Sequence, residues 1–213
     1  MTTTRSETMT GTVHIAFPEY DTPPADPIKL MRAWFDDAQR HGVREPRALA
    51  LATADARGRA STRTVAVNEI ADAGLIFATH LCSQKGREMT ENPWASGVFY
   101  WRETSQQIIV SGPVERVCDD RAEQLWASRP VFTHAMSVAS RQSEEIDDAA
   151  RRRLADAQRI AATAEPQQRP ARYVGFTLRP EIVEFWADGD DRLHKRLRYE
   201  YQDGVWATRQ LQP

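Results

Sequence analysis

The stretch Glu184-Phe185-Trp186-Ala187-Asp188-Gly189-Asp190-Asp191-Arg192-Leu193-His194-Lys195-Arg196 carries the densest chemistry in the chain. An apolar strand end bears a tryptophan, a short acidic, glycine-bearing turn follows, and then comes an Arg-x-His-x-Arg alternation. A strand running over 192–201 puts Arg192, His194 and Arg196 on one face. Three cationic or proton-carrying groups side by side repel one another unless something anionic or electron-rich sits against them. A solvated strand face is the ordinary outcome for a basic triplet. A tryptophan that ends a core-like strand just before it points instead to a ligand site.

Two further segments can hold an anion. In Ser61-Thr62-Arg63-Thr64-Val65-Ala66-Val67, Arg63 shares its strand face with Val65 and Val67. An arginine on an apolar face needs a partner, unless it snorkels to water at a strand edge. In Cys82-Ser83-Gln84-Lys85, a helix starting at Ser83 offers free N–H groups and a positive dipole end. Lys85 adds a full charge where a lysine is locally unfavourable, which suggests an external anion; a solvated lysine is the ordinary alternative.

Several chemistries are excluded. The chain has no G-x-G-x-x-G and no Walker A sequence, so any nucleotide phosphate is held by side chains and a helix N-terminus. The five histidines lack i, i+4 pairing and cysteine partners, and no metal site is expected. No G-x-S-x-G elbow supports a serine hydrolase. With 28 Lys and Arg against 30 Asp and Glu, the net charge of −2 gives no basis for nucleic-acid binding. The pairs Asp36-Asp37, Asp119-Asp120 and Glu144-Glu145 are adjacent, so their carboxylates diverge onto the surface. Cys82 and Cys118 make no disulfide framework. The polar N-terminus lacks a signal-peptide apolar region, and no apolar run is long enough to span a membrane. The expectation is a cytoplasmic protein.

The elements that must position these residues follow from pattern. Residues 1–25 read as an arm whose docking points are Ile15, Phe17 and Tyr20, and residues 26–213 as one domain. Asp26-Pro27 starts a helix through Leu30, Met31, Trp34, Phe35 and Ala38, closed by Gly42. Strands are expected over 48–54, 60–68, 75–79, 98–101, 107–117, 173–178, 182–187, 192–201 and 205–209, and helices over 84–91, 122–128 and 144–164. Antiparallel strands with inserted helices give an α+β protein built on a β-barrel. The bulky residues Phe77, Phe99, Tyr100, Trp101, Phe185 and Trp186 exceed what one face of a small barrel hides, which suggests a second subunit.

The Trp-to-Arg segment, the Arg-Thr-Val-Ala strand and the Gln-Lys helix start together resemble the pyridoxamine 5′-phosphate oxidase family, from about Asp26 to Pro213. The resemblance implies a split β-barrel homodimer that binds flavin mononucleotide (FMN) near the subunit boundary. It implies cofactor contacts at Arg63, Thr64, Val65, Ala66, Ala78, Thr79, Gln84, Lys85, Gln107, Gln142, Ser143, Trp186 and Arg196. Arg63 and Lys85 hold the phosphate with help from Ser143, and Gln107 and Gln142 bond the flavin. Ala78 and Gln84 depart from the vitamin B6 enzymes, which often carry Tyr and Arg there.

The phosphate groups of the vitamin B6 substrate correspond to Asn68, Leu125, Arg129 and Thr133. The Lys and Tyr expected at the first two positions are lost, and with them charge-assisted bonds worth about 1.5–3 kcal/mol each. A bulkier, flatter, less anionic substrate fits, with Arg192 and His194 as the catalytic pair: Arg192 for a carboxylate, His194 for a ring nitrogen. The segment His14–Asp26 and Trp126–Pro130 resemble the phenazine-biosynthesis branch. The implied reaction is oxidation of a reduced, carboxylated tricyclic phenazine precursor with molecular oxygen as acceptor. The alternatives are a pyridoxamine or pyridoxine 5′-phosphate oxidase, disfavoured by Asn68 and Leu125, and a non-enzymatic flavin-binding module.

Overall fold

Asp26 caps the first helix as its position predicts: its Oδ1 accepts the backbone N–H of Ile28 at 2.9 Å and of Lys29 at 3.3 Å. The helix, α1 (Pro27–Arg40), turns Leu30, Met31, Trp34, Phe35 and Ala38 into the core. The structure, a computed structural model, describes residues 13, 15–163, 165–189 and 193–213. Upstream of α1, Phe17 is buried with its ring 4.9 Å from that of Trp34, and Tyr20 packs against the same cluster. Of the three docking points, Phe17 enters the core outright.

The remaining elements are β1 (Ala48–Ala54), β2 (Ala60–Ala71), β3 (Gly74–His80), α2 (Gln84–Glu91), β4 (Trp94–Trp101), β5 (Gln106–Arg116), α3 (Asp119–Ala127), α4 (His134–Ala139), α5 (Asp148–Ala161), β6 (Tyr173–Leu178), β7 (Ile182–Ala187), β8 (Lys195–Gln202) and β9 (Val205–Leu211). Every strand pairing is antiparallel. In the order β4-β1-β2-β3-β6-β5, closed by β4–β5, six strands form a barrel, and β7-β8-β9 extend from β5. The α+β barrel is the fold that the strand and turn pattern predicts. Alternate residues fill the barrel: Leu49 and Leu51, Phe77, Phe99, Ile108 and Val110, and Phe176 are all buried.

β5 makes this arrangement by dividing one edge. Residues 106–113 pair with β4, while the other edge serves β7 over Gln106–Ser111 and β6 over Val114–Arg116. The change of partner falls at Gly112-Pro113. Pro113 has no N–H to give. A Cβ on Gly112 would lie 1.9 Å from the carbonyl oxygen of Arg179, so the link between β6 and β7 crosses where only glycine fits.

Three expectations are corrected. The last helix begins at Asp148, not 144, because Asp147 is the residue whose side chain caps it, on the N–H of Ala150 at 2.6 Å. The short α4 fills part of a stretch to which no element was assigned; it is six residues long and has no side-chain cap to announce it. The excess of bulky apolar residues is smaller than it looked. Phe77, Phe99, Trp101 and Phe185 all lie in the chain's own core, and Tyr100 and Trp186 alone of the six face outward. The outward face of β4 nonetheless leaves two aromatic residues, Trp94 and Tyr100, each 43% exposed. Among the described residues no helix is long and apolar enough to cross a membrane.

If Phe17 anchors the N-terminal segment to the core, Phe17→Ala costs about 3–5 kcal/mol. Urea unfolding monitored by tryptophan fluorescence reads this. A loss below about 1 kcal/mol would show that the segment contributes nothing to the folded core.

Candidate functional site

Arg63 has its partner. It lies on the inner face of β2 at the barrel mouth, where Nη2 stands 3.2 Å from Glu88 Oε2 and also donates to Ser61 Oγ. Its Nη1 donates to Thr53 Oγ1 at 2.5 Å and Leu51 O at 3.3 Å. Glu88 comes from α2, one turn from the helix start, and is only 6% exposed. It accepts from Thr53, from Ser61 (2.7 and 2.9 Å) and from Gln84 Nε2 (2.8 Å). Burial alone would raise the Glu88 carboxyl. Those hydrogen bonds and the Arg63 charge outweigh burial and hold it down to about 2.

The α2 N-terminus is built as its sequence predicts. Ser83 caps it on the N–H of Gly86 at 3.2 Å. Gly86 is required because a Cβ there would meet the carbonyl oxygens of His80 and Leu81 at 2.5 and 2.6 Å. Lys85 Nζ donates to Thr79 Oγ1 at 3.2 Å, and Thr79 Oγ1 donates to Gln142 Oε1 at 3.3 Å. Ser143 Oγ accepts the backbone N–H of Gln84 at 3.1 Å, with Ser143 itself at φ 70°, a left-handed conformation uncommon outside glycine. Burial, then the charge of Arg63, lowers the Lys85 ammonium, and Glu88 offsets this in part. Six of the proposed flavin residues thus converge: Arg63, Thr79, Gln84, Lys85, Gln142 and Ser143.

Thr64, Val65 and Ala66 line a cavity of about 430 Å³ together with Gln39, Glu45, Pro46, Arg47 and Ala48. Asn68 sits at a bulge between Val67 and Glu69, where its Oδ1 accepts the N–H of Ala78 at 3.1 Å.

A second group lies on the far side of the barrel. Gln107, Trp186 and Arg196 are register partners across β5, β7 and β8. Glu184, buried at 1% exposure, receives Arg196 Nε at 2.8 Å and Arg198 through Nε and Nη2 at 2.9 and 2.8 Å. No hydrogen bond or ion pair among the described residues joins this group to the one at α2. The expected strand face is corrected here. β8 starts at Lys195, so His194 lies in the turn, its ring 4.8 Å from that of Trp186 and its Nδ1 3.0 Å from Asp188 Oδ1. Arg192 lies outside the described residues.

Arg129 and Thr133 are neighbours, with Nε 3.3 Å from Thr133 Oγ1 and Nη2 3.1 Å from Ser137 Oγ. The Arg129 guanidinium also lies over the rings of Trp126 and Tyr173. Leu125 is buried in a satellite cluster with Ile76, Trp126 and Tyr173, where it packs rather than lining open space. Next to it His80 is 1% exposed, with neither ring nitrogen hydrogen-bonded. Burial, then the charges of Arg172, Arg129 and Lys85, brings the His80 imidazole down to about 4.

Sequence reasoning missed Glu88, Glu184 and His80. Glu88 follows Gln84 by four residues and Lys85 by three, a spacing that places it on their side of the helix. Glu184 sits two residues before Trp186 on a strand and so shares its face. His80 gives no comparable signal.

A family model described as "Pyridoxamine 5'-phosphate oxidase" matches residues 35–187. A second, "Pyridoxine 5'-phosphate oxidase C-terminal dimerisation region", matches residues 173–213. The chain is 54% identical over 208 residues to a dihydrophenazinedicarboxylate synthase of Pseudomonas chlororaphis, covering 98% of this chain and 93% of that one. It is 50% identical to the enzyme of that name from Burkholderia lata, over the full length of both. It is 38% identical to a pyridoxine/pyridoxamine 5'-phosphate oxidase of Herminiimonas arsenicoxydans, over 92% of each. The solved structure of Burkholderia lata PhzG in complex with tetrahydrophenazine-1-carboxylic acid superposes with a TM-score of 0.90, covering 95% of this chain and 100% of that one at 50% identity.

The His80 geometry has a consequence for stability. Its folded pKa near 4 lies below the ordinary 6.5. Between these values the unfolded chain binds a proton that the folded chain does not, so stability falls as pH drops from 6.5 to 4 and levels off below. The contribution is at most about 3 kcal/mol. His80→Asn is expected to flatten the decline across that window in urea unfolding. Identical slopes for both proteins would refute it.

Proposed function

The chain belongs to the pyridoxamine 5′-phosphate oxidase family, and from that premise we propose that it is an FMN-dependent oxidase of phenazine biosynthesis. Its substrate is a partly reduced, carboxylated phenazine precursor, which it takes toward the aromatic tricycle. The observation that carries this reading is the likeness, over essentially the whole chain, to dihydrophenazinedicarboxylate synthases and to a structure holding tetrahydrophenazine-1-carboxylic acid. The likeness to vitamin B6 oxidases is lower, and the Lys and Tyr expected for a phosphorylated substrate are Asn68 and Leu125 here.

The donor set at α2 suits a phosphate. Two cations, a capped helix N-terminus and the Ser143 hydroxyl meet at one end of the barrel. In the proposed site Arg63 and Lys85 hold the phosphate, and Thr64, Val65 and Ala66 lie along the ring system. Gln107, Trp186 and Arg196 stand apart from these within one chain, so a second copy supplies them. A homodimer of this kind agrees with the dimerisation-region match and with the exposed Trp94 and Tyr100. Flavin chemistry, once the cofactor is bound, removes two electrons from the reduced ring and delivers them to oxygen as hydrogen peroxide. In this reading His194, whose ring lies 4.8 Å from that of Trp186, hydrogen-bonds or deprotonates a ring N–H. Arg192 orients the substrate carboxylate, and Arg129 with Thr133 forms the far wall.

Purified protein is expected to be yellow, and Lys85→Ala or Arg63→Ala to weaken FMN binding by about 1.5–3 kcal/mol. Protein that stays colourless after reconstitution with excess FMN and gel filtration rules the cofactor out.

The reaction is tested by anaerobic stopped-flow. Reduced phenazine carboxylates should bleach the bound flavin, and pyridoxine or pyridoxamine phosphate should do so far more slowly. Comparable rates with the phosphorylated pyridines, or no bleaching by any reduced phenazine, would reject the substrate class.

A further inference from the structure

We propose that Glu88 is the internal counter-ion of the phosphate cradle: it neutralises Arg63 in the unloaded protein and yields that role to the phosphate of the incoming flavin nucleotide. The inference rests on the reading that Arg63 and Lys85 receive that phosphate.

The argument begins with charge. Arg63 comes from β2 and Lys85 from the first turn of α2, and Glu88, one turn into α2, is the carboxylate whose charge acts on both. Two cations and one carboxylate leave the cradle short of one negative charge. Burial and then the charge of Arg63 lower the Lys85 ammonium, and Glu88 restores it only in part. A ligand with at least one negative charge completes the balance. A second negative charge on that ligand has to compete with Glu88.

The hydrogen bonds define how this competition works. Both Glu88 oxygens are occupied: Oε1 accepts from Ser61 and Gln84, and Oε2 from Thr53, Ser61 and Arg63. Three of those donors are neutral and keep Glu88 in place when the guanidinium turns away. Arg63 is tethered from behind by Thr53 and Leu51 through Nη1. Its Nε makes no hydrogen bond among the described residues, and its side chain is 20% exposed against 8% for Glu88. The arginine therefore offers Nε to a phosphate without breaking a bond, and the Nη2 bonds to Ser61 and Glu88 are the ones it exchanges. Glu88 stabilises the empty barrel mouth and, by the same charge, weakens the hold on a phosphate.

The signature is specific to the phosphate, so the two flavins that differ only by that group are the probes. Thermal midpoints and flavin affinities, the latter by fluorescence quenching, are measured for wild type and Glu88→Gln. Each protein is taken unloaded, with riboflavin and with FMN. Gln keeps the size and an acceptor oxygen and removes the charge. Unloaded Glu88→Gln should melt below wild type, FMN should erase most of that difference, and riboflavin should leave it. FMN affinity should rise about tenfold or more, while riboflavin affinity stays within about twofold. If the variant does not fold unloaded, refolding from urea with FMN or with riboflavin replaces the melt, and recovery with FMN alone is expected. A midpoint lowered equally with and without FMN, an unchanged ratio of FMN to riboflavin affinity, or equal recovery with both flavins would make Glu88 a plug of the barrel mouth and overturn the proposal. Wild type that binds neither flavin would overturn the cofactor reading and this inference with it. Wild type that prefers FMN while Glu88→Gln behaves identically overturns this inference alone.

Discussion

A strand has two edges, and the architecture depends on how β5 divides one of them. Had β5 given its whole second edge to β6, the barrel would close and β7 to β9 would have no template. Had it given that edge wholly to β7, the barrel would stay open. The change at Gly112-Pro113 permits both, since the proline removes a donor and the glycine admits the backbone of Arg179. Two further bonds lock the crossing: Arg179 N to Pro113 O and Glu181 N to Ser111 O, both 2.9 Å. The consequence is spatial. The α2 group lies on the β1–β2–β3 side of the closed barrel, and Trp186 and Arg196 lie on the extension.

Each group is organised by a carboxylate withdrawn from solvent. Glu88 serves Arg63, and Glu184 serves Arg196 and Arg198. A buried ion pair adds little to stability against an apolar replacement, yet removing one member costs about 3–5 kcal/mol because the survivor stays buried and unpaired. Such pairs therefore specify more than they stabilise. They hold guanidinium groups at fixed places in a half-buried surface, ready for a ligand of opposite charge. The two sites differ in how their cations are balanced. Arg198, one of the two arginines that Glu184 serves, also lies 3.8 Å from Glu200, whereas Glu88 offsets Arg63 and leaves Lys85 as the surplus cation.

Most of the fold was legible in the sequence because local signals and tertiary environment agree there. Asp26-Pro27, Ser83 and the short apolar runs of β1, β6 and β7 each have one interpretation, and those strands begin and end where the sequence predicts. Legibility failed where two signals compete. Asp147 and Glu144 both suit a helix start, and only the observed cap on Ala150 decides. Over 192–201 the basic alternation has the strand period, but His194 turns toward Trp186 and Asp188 before the strand begins. Within the site, Arg63 on an apolar face announces that a partner exists. It does not announce that the partner is Glu88, because the contact joins residues 25 positions apart.

Asn68 shows why a substitution in such a site is more than the loss of a charge. At the β2 bulge one backbone N–H of β3, that of Ala78, has no regular ladder partner and is satisfied by Asn68 Oδ1. A lysine, which the resemblance to the vitamin B6 enzymes would place here, has three donors and no acceptor. It cannot make this bond, and its ammonium has to reach outward to an anion instead. Asparagine does the reverse: its acceptor turns in to the sheet, and what remains outward is a short neutral amide. The change converts a group that reaches for a phosphate into one that closes the β2–β3 bulge.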